Sequence, residues 1–126
     1  YIDAGKPMPA GIATTVANLR EIAPTIYFNV PKGFEALLPY LQADEALREQ
    51  FFSRLRLMFY AGAGLSRRVW DAYRDLAIET TGSAITMTTS LGATETGPSA
   101  LIGVREVGRP GIVGVPHRGV ELKLVP

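Results

Sequence analysis

The stretch from Leu55 to Thr89 leaves few folds open. Leu55-Arg56-Leu57-Met58-Phe59-Tyr60 is apolar and aromatic enough for a strand. Ala61-Gly62-Ala63-Gly64-Leu65 follows as a loop of small residues, and Ser66 stands where a helix N-cap belongs. Val69, Trp70, Tyr73 and Leu76 then recur at helical spacing. Gly82 suits the left-handed position that ends a helix, and Ala84-Ile85-Thr86-Met87-Thr88-Thr89 supplies another strand. A strand, helix and strand over roughly 30 residues is a βαβ unit, in which parallel strands and a right-handed crossover are expected.

The first half carries the same alternation. After a loop-like Gly5-Lys6-Pro7-Met8-Pro9, the residues Ile12, Val16, Leu19 and Ile22 predict an amphipathic helix that stops before Pro24. Thr25-Ile26-Tyr27-Phe28-Asn29-Val30 predicts a short buried strand ending at Pro31. Phe34, Leu37, Leu38 and Leu41 restore helical spacing, and Asp44 is placed to cap a further helix carrying Leu47 and Phe51. Beyond Pro98, glycines and prolines at 103, 108, 110, 111, 114, 116 and 119 break short apolar runs into extended segments joined by tight turns. The expected class is α/β, a mostly parallel sheet flanked by helices with a short β-rich C-terminal stretch.

Composition narrows the chemistry. A chain of 126 residues that is 47% hydrophobic has apolar side chains for one core, and a net charge of +1 with scattered Lys and Arg gives no basic stripe for nucleic acid or anionic membrane. The absence of cysteine removes disulfides and thiolate sites, and a single histidine cannot build a His-based metal cluster. No targeting segment or apolar run of roughly 18 residues is present, which makes the cytoplasm the default expectation. The chain opens on Tyr1 and closes on Pro126 directly after the strand-like Val120-Glu121-Leu122-Lys123-Leu124-Val125, so residues 1–126 are expected to be a piece of a longer domain.

In a parallel sheet, ligands settle beyond the carboxyl ends of the strands, where loops meet helix N-termini. Two loops qualify. Ala61-Gly62-Ala63-Gly64 would let a flat heterocycle lie against the backbone, or it could serve only as a tight turn into the helix capped by Ser66. Ser90 to Pro98 carries Thr94, a hydroxyl for a phosphate oxygen, and Glu95, a hard oxygen ligand for Mg²⁺; the alternative is a solvated glutamate beside a turn-forming threonine. His117, without an Asp, Cys or second His nearby in sequence, is given no role, and Ser66 is read as a cap rather than a nucleophile.

Thr88-Thr89-Ser90-Leu91-Gly92-Ala93-Thr94-Glu95-Thr96-Gly97-Pro98 resembles the Tyr-Gly-x-Thr-Glu loop of the adenylate-forming (AMP-binding) superfamily. Ala61-Gly62-Ala63-Gly64-Leu65-Ser66 resembles that superfamily's Gly-Gly-Ala-Pro-Leu-Ser segment. Gly114-Val115-Pro116 through Gly119-Val120-Glu121-Leu122 resembles its Gly-x-Pro-x-x-Gly-x-Glu strand. The three matches fall in order over the second half of the chain, and within the superfamily the wording is most similar to bacterial feruloyl-CoA synthetases and other aryl or acyl-CoA ligases.

The resemblance implies part of an adenylation domain that activates a hydroxycinnamate-like carboxylate with ATP to acyl-AMP and passes it to CoA. It implies that Thr94 contacts the adenylate phosphate and Glu95 binds Mg²⁺, the two forming the catalytic pair. Gly62, Ala63, Gly64, Leu91 and Gly92 would border the nucleotide, and Gly97, Pro98 and Ser99 would edge the acyl pocket. ATP or AMP, Mg²⁺, CoA and a small aromatic or acyl carboxylate are the implied ligands. Two departures stand out: Leu91 replaces the usual aromatic residue, and Gly64 the usual proline or alanine. The superfamily's phosphate loop, ribose-binding aspartate and C-terminal lysine have no counterpart here. A carrier protein or oxygen as acceptor, and a non-catalytic nucleotide-binding or interaction module, are the alternative expectations.

Overall fold

The structure, a computed structural model, describes residues 4–8, 10–103 and 109–125. Pro9 of the expected opening loop, Gly108 of the expected turns and the terminal Tyr1 and Pro126 lie outside the described residues.

Helix α1 spans Ile12–Glu21 and buries Ile12, Val16 and Leu19; the chain turns extended at Ile22, two residues before Pro24. Strand β1 (Ile26–Asn29) leads into α2 (Pro31–Ala43), which starts on Pro31, a residue whose missing N–H costs nothing in a first turn. Helix α3 (Glu45–Phe52) is capped by Asp44, whose carboxylate accepts the Leu47 N–H at 2.9 Å. Strand β2 (Leu57–Tyr60) precedes α4 (Arg67–Thr81), which Ser66 caps by accepting the Val69 N–H and which ends at Gly82 with φ 79°. Strands β3 (Thr86–Ala93), β4 (Gly97–Ile102) and β5 (Val115–Pro116) complete the chain order.

The five strands form one sheet in sequence order. Strands β1, β2 and β3 pair in parallel, whereas β3–β4 and β4–β5 pair antiparallel, so the sheet is mixed and the expectation of a mostly parallel sheet is wrong. The reason is chain length. Only Thr94, Glu95 and Thr96 separate β3 from β4, and a parallel return needs a crossover of about a dozen residues or more. The segment expected to be a loop from Ser90 to Pro98 is therefore a β-hairpin. Its register shifts between Leu91 and Ala93, placing Gly92 at a bulge where a Cβ would collide with the backbone of Gly97 and Pro98. The strand-like Val120–Val125 is in no ladder among the described residues, and Leu124 and Val125 are exposed.

The core lies between the helices and one face of the sheet. Tyr27, Met58 and Met87 are register neighbours across β1, β2 and β3, and all three are buried against Phe34, Leu37, Phe51 and Tyr73. Edge-to-face ring contacts at 5.1–5.2 Å join Tyr27 to Phe34 and Phe51, and Phe34 to Tyr73. Trp70, Tyr73 and Leu76 are core residues, as their spacing predicts. The strand expected to be buried at β1 is buried on one face alone: Ile26 and Phe28 are 59% and 64% exposed on the other. Among the described residues, no helix is long and apolar enough to cross a membrane.

Candidate functional site

Strand β2 stops at Tyr60, whose register partner is Thr89, but β3 runs on to Ala93 and there pairs with β4 alone. The chain leaves the sheet at Ala61 and climbs through Gly64 toward α4. The early exit of one strand beside the continuation of its neighbour opens a cleft of about 670 Å³. One wall is Tyr60 to Gly64 and the other is Thr89 to Thr94; Gly97, Pro98, Gly111 and Val113 complete the lining.

Local chemistry holds each wall. Gly62 sits at φ 89°, a conformation that the absence of a Cβ makes accessible, and Gly64 faces open space. The Ala61 N–H donates to the Asn29 carbonyl at 3.3 Å. The opposite wall is closed at its tip, where the Thr96 N–H donates to the Ala93 carbonyl at 3.2 Å and the Ala93 N–H donates to Thr96 Oγ1 at 3.0 Å. Ser90 Oγ donates to the Pro98 carbonyl at 3.2 Å across the hairpin. At the floor, Tyr60 is 2% exposed; burial pushes its phenol pKa up, partly offset by the Gly111 N–H and the Thr89 hydroxyl facing its oxygen.

Eight of the residues singled out from sequence share this lining: Gly62, Ala63, Gly64, Leu91, Gly92, Thr94, Gly97 and Pro98. Glu95 occupies the exposed tip of the hairpin next to Thr94, outside the lining, and makes no ion pair among the described residues. Ser99 is half-buried in β4 and does not line the cleft. His117 is exposed beyond β5, and Arg67, at the start of α4, is paired with Asp71 at 2.8 Å. Sequence reasoning missed Tyr60, Thr89, Gly111 and Val113. The available signal for the first two was their position, each at the end of a strand expected from sequence, Leu55–Tyr60 and Ala84–Thr89.

No group of three or more His, Cys, Asp or Glu side chains is arranged around a common point among the described residues. A second cleft of about 540 Å³ lies between α1 and β1, with Thr15, Asn18, Leu19, Phe28 and Arg54 among its lining. None of the residues expected from sequence to contact nucleotide, metal or acyl group falls in it.

The AMP-binding enzyme family model matches residues 3–126. Among solved structures, the chain is similar to the crystal structure of the anthranilate CoA ligase AuaEII in complex with anthranoyl-AMP, with 30% identity and a TM-score of 0.66. The match covers 97% of this chain and 21% of that one, so the chain spans about a fifth of the relative's length. None of the curated proteins matches. A match along nearly the whole chain, together with a cleft built from the expected segments, leads to one conclusion: the chain belongs to the AMP-binding enzyme family.

Proposed function

We propose that residues 1–126 are part of the adenylation domain of an ATP-dependent acid–CoA ligase, and that the cleft between Ala61–Gly64 and Ser90–Thr94 holds the adenylate. The observation that carries this reading is that two segments about 30 residues apart in sequence, both singled out for nucleotide contact, face each other across one cleft. The likeness to a CoA ligase crystallised with an aroyl-AMP supports an aromatic acid, and a hydroxycinnamate such as ferulate is the acid we assign.

In this reading a carboxylate oxygen attacks the α-phosphorus of ATP, the bond to the β,γ-phosphates breaks, and acyl-AMP and pyrophosphate form. The CoA thiol, losing its proton, then adds to the acyl carbon and AMP departs. The chain's own residues bind and orient. Gly62, Ala63 and Gly64 present backbone without side-chain bulk to the adenine, with Leu91 and Gly92 opposite. Leu91 is 49% exposed and offers an aliphatic rather than an aromatic surface to the base. The Thr94 hydroxyl donates to a phosphate oxygen, while Gly97, Pro98 and Ser99 lead toward the acyl group. Glu95, beside Thr94 at the hairpin tip, would hold Mg²⁺ together with the phosphates, and the ion would supply charge neutralisation on the phosphoryl oxygens.

Full-length protein should catalyse ferulate-dependent exchange of pyrophosphate into ATP and form feruloyl-CoA. Exchange without CoA transfer would assign a different acceptor, such as a carrier protein, and no exchange with any aromatic acid would remove the ligase reading. Glu95→Ala is expected to slow adenylation by about a hundredfold or more while leaving the circular dichroism spectrum unchanged. An unaltered rate would take Glu95 out of the site. The isolated 126 residues, carrying one part of the pocket, should form no acyl-AMP.

A further inference from the structure

We infer that Thr89 is a positioning residue for the nucleotide, acting through the main chain of Tyr60 to set the distance between the two walls of the cleft. The inference rests on the adenylate reading above and names a residue that makes the cleft fit its ligand rather than one that touches the reacting atoms.

The wall Ala61–Gly64 has no side chain larger than a methyl group with which to anchor itself. Its position is inherited from the end of β2. Beyond the sheet ladder, two hydrogen bonds among the described residues reach the main chain where this turn begins: the long one from Ala61 N–H to the Asn29 carbonyl, and one from Thr89 Oγ1 to the Tyr60 carbonyl at 2.6 Å. The second is short and spans 29 residues of sequence. It is also buried, with Thr89 5% and Tyr60 2% exposed. It joins the last residue of one wall's strand to the residue from which the other wall departs. The Tyr60 ring fixes the same point from the other side, edge-on to Trp70 of α4 at 6.2 Å and 89°.

Removing the Thr89 hydroxyl takes a short, buried side-chain bond from the Tyr60 carbonyl at the point where β2 ends, so Tyr60 and the glycine-alanine wall should draw away from β3. A base held between two walls is bound alike before and during phosphoryl attack. A wider gap therefore weakens ATP binding without slowing the bound complex.

The test uses full-length protein and compares Thr89→Val, which keeps the shape and removes the hydroxyl, with Thr89→Ser, which keeps the hydroxyl. Thr89→Val should raise KM for ATP by about fivefold to tenfold. It should leave kcat for acyl-AMP formation within about twofold and KM for the carboxylic acid unchanged, and Thr89→Ser should return KM for ATP close to the starting value. Thr89→Ala takes the place of the valine variant if that protein folds poorly. In the same proteins, amide hydrogen exchange of the peptide containing Ala61–Gly64 should be faster in Thr89→Val than in Thr89→Ser or the unsubstituted protein. An unchanged KM for ATP in the valine variant, or unchanged exchange at Ala61–Gly64, would overturn the inference. If the unsubstituted protein shows no adenylation at all, the ligase reading fails, and the exchange measurement still decides whether Thr89 holds the wall.

Discussion

Tyr73 shows how much one hydroxyl can carry. It lies fully buried on α4 and donates to the Phe34 carbonyl of α2 at 3.0 Å, tying two helices that are 39 residues apart in sequence at that point. Tyr73→Phe keeps the ring contacts but strands the carbonyl, which should cost about 1–2 kcal/mol in urea unfolding. Burial, with the nearby Tyr27 adding to it, holds the Tyr73 phenol pKa well above its usual 10.0. The sign follows from the raised value: the contribution to stability is complete below pH 10 and is lost at higher pH, because the unfolded chain ionises there and the folded one does not. The native protein should therefore lose stability as the pH rises beyond 10, and Tyr73→Phe should lose less over the same range; equal losses would contradict the assignment. Thr94 and Glu95 were legible in the sequence as residue types, but adjacency could not reveal that one lines the cleft and its neighbour sits at the exposed tip. That division comes from the hairpin turn, which sends successive side chains to different surroundings.

The helices and the parallel strands were readable because their apolar spacing matches what is buried: Phe34, Leu37, Leu38 and Leu41 on α2, and Val69, Trp70, Tyr73 and Leu76 on α4. The caps at Asp44, Ser66 and Gly82 were readable for the same local reason. The β3–β4 hairpin was not. Gly92, Gly97 and Pro98 are residue types depleted in strands, so they read as a loop, whereas here the glycines serve a bulge and a turn. Gly97 takes φ 75° directly after the turn, and Gly92 packs against the backbone of the returning strand. Gly92→Val should push β4 away from β3 and loosen the wall that carries Thr94. Hydrogen exchange across residues 90–102 should accelerate in that variant while α1 to α4 keep their protection. Unchanged protection of the hairpin would show that the close approach at Gly92 has no structural weight. Tyr60 and Thr89 escaped notice because their importance depends on where β2 stops relative to β3, a property of the assembled sheet and not of either strand.

For the whole molecule, the parallel half of the sheet is covered by helices on the face carrying Tyr27, Met58 and Met87, while Ile26 and Phe28 stand exposed on the other. The rings of Phe28 and Phe59 lie 5.2 Å apart on that open face. Among the described residues, strand β1 is also the edge of the sheet and pairs with β2 alone. An exposed apolar face beside an open edge favours association, so the isolated 126-residue polypeptide should self-associate in sedimentation experiments. Phe28→Lys should shift it toward monomer without changing its far-UV circular dichroism. A monodisperse monomer without the substitution would show that this surface is tolerated in water.

The central claim is that the cleft beside the end of β2 is where the nucleotide lies. Its most direct test is a crystal structure of the full-length protein with AMP. The account predicts the adenine against Gly62–Gly64 and the phosphate within hydrogen-bond reach of Thr94 Oγ1. Nucleotide seated instead in the cleft between α1 and β1, beside Thr15, Asn18 and Arg54, would contradict it.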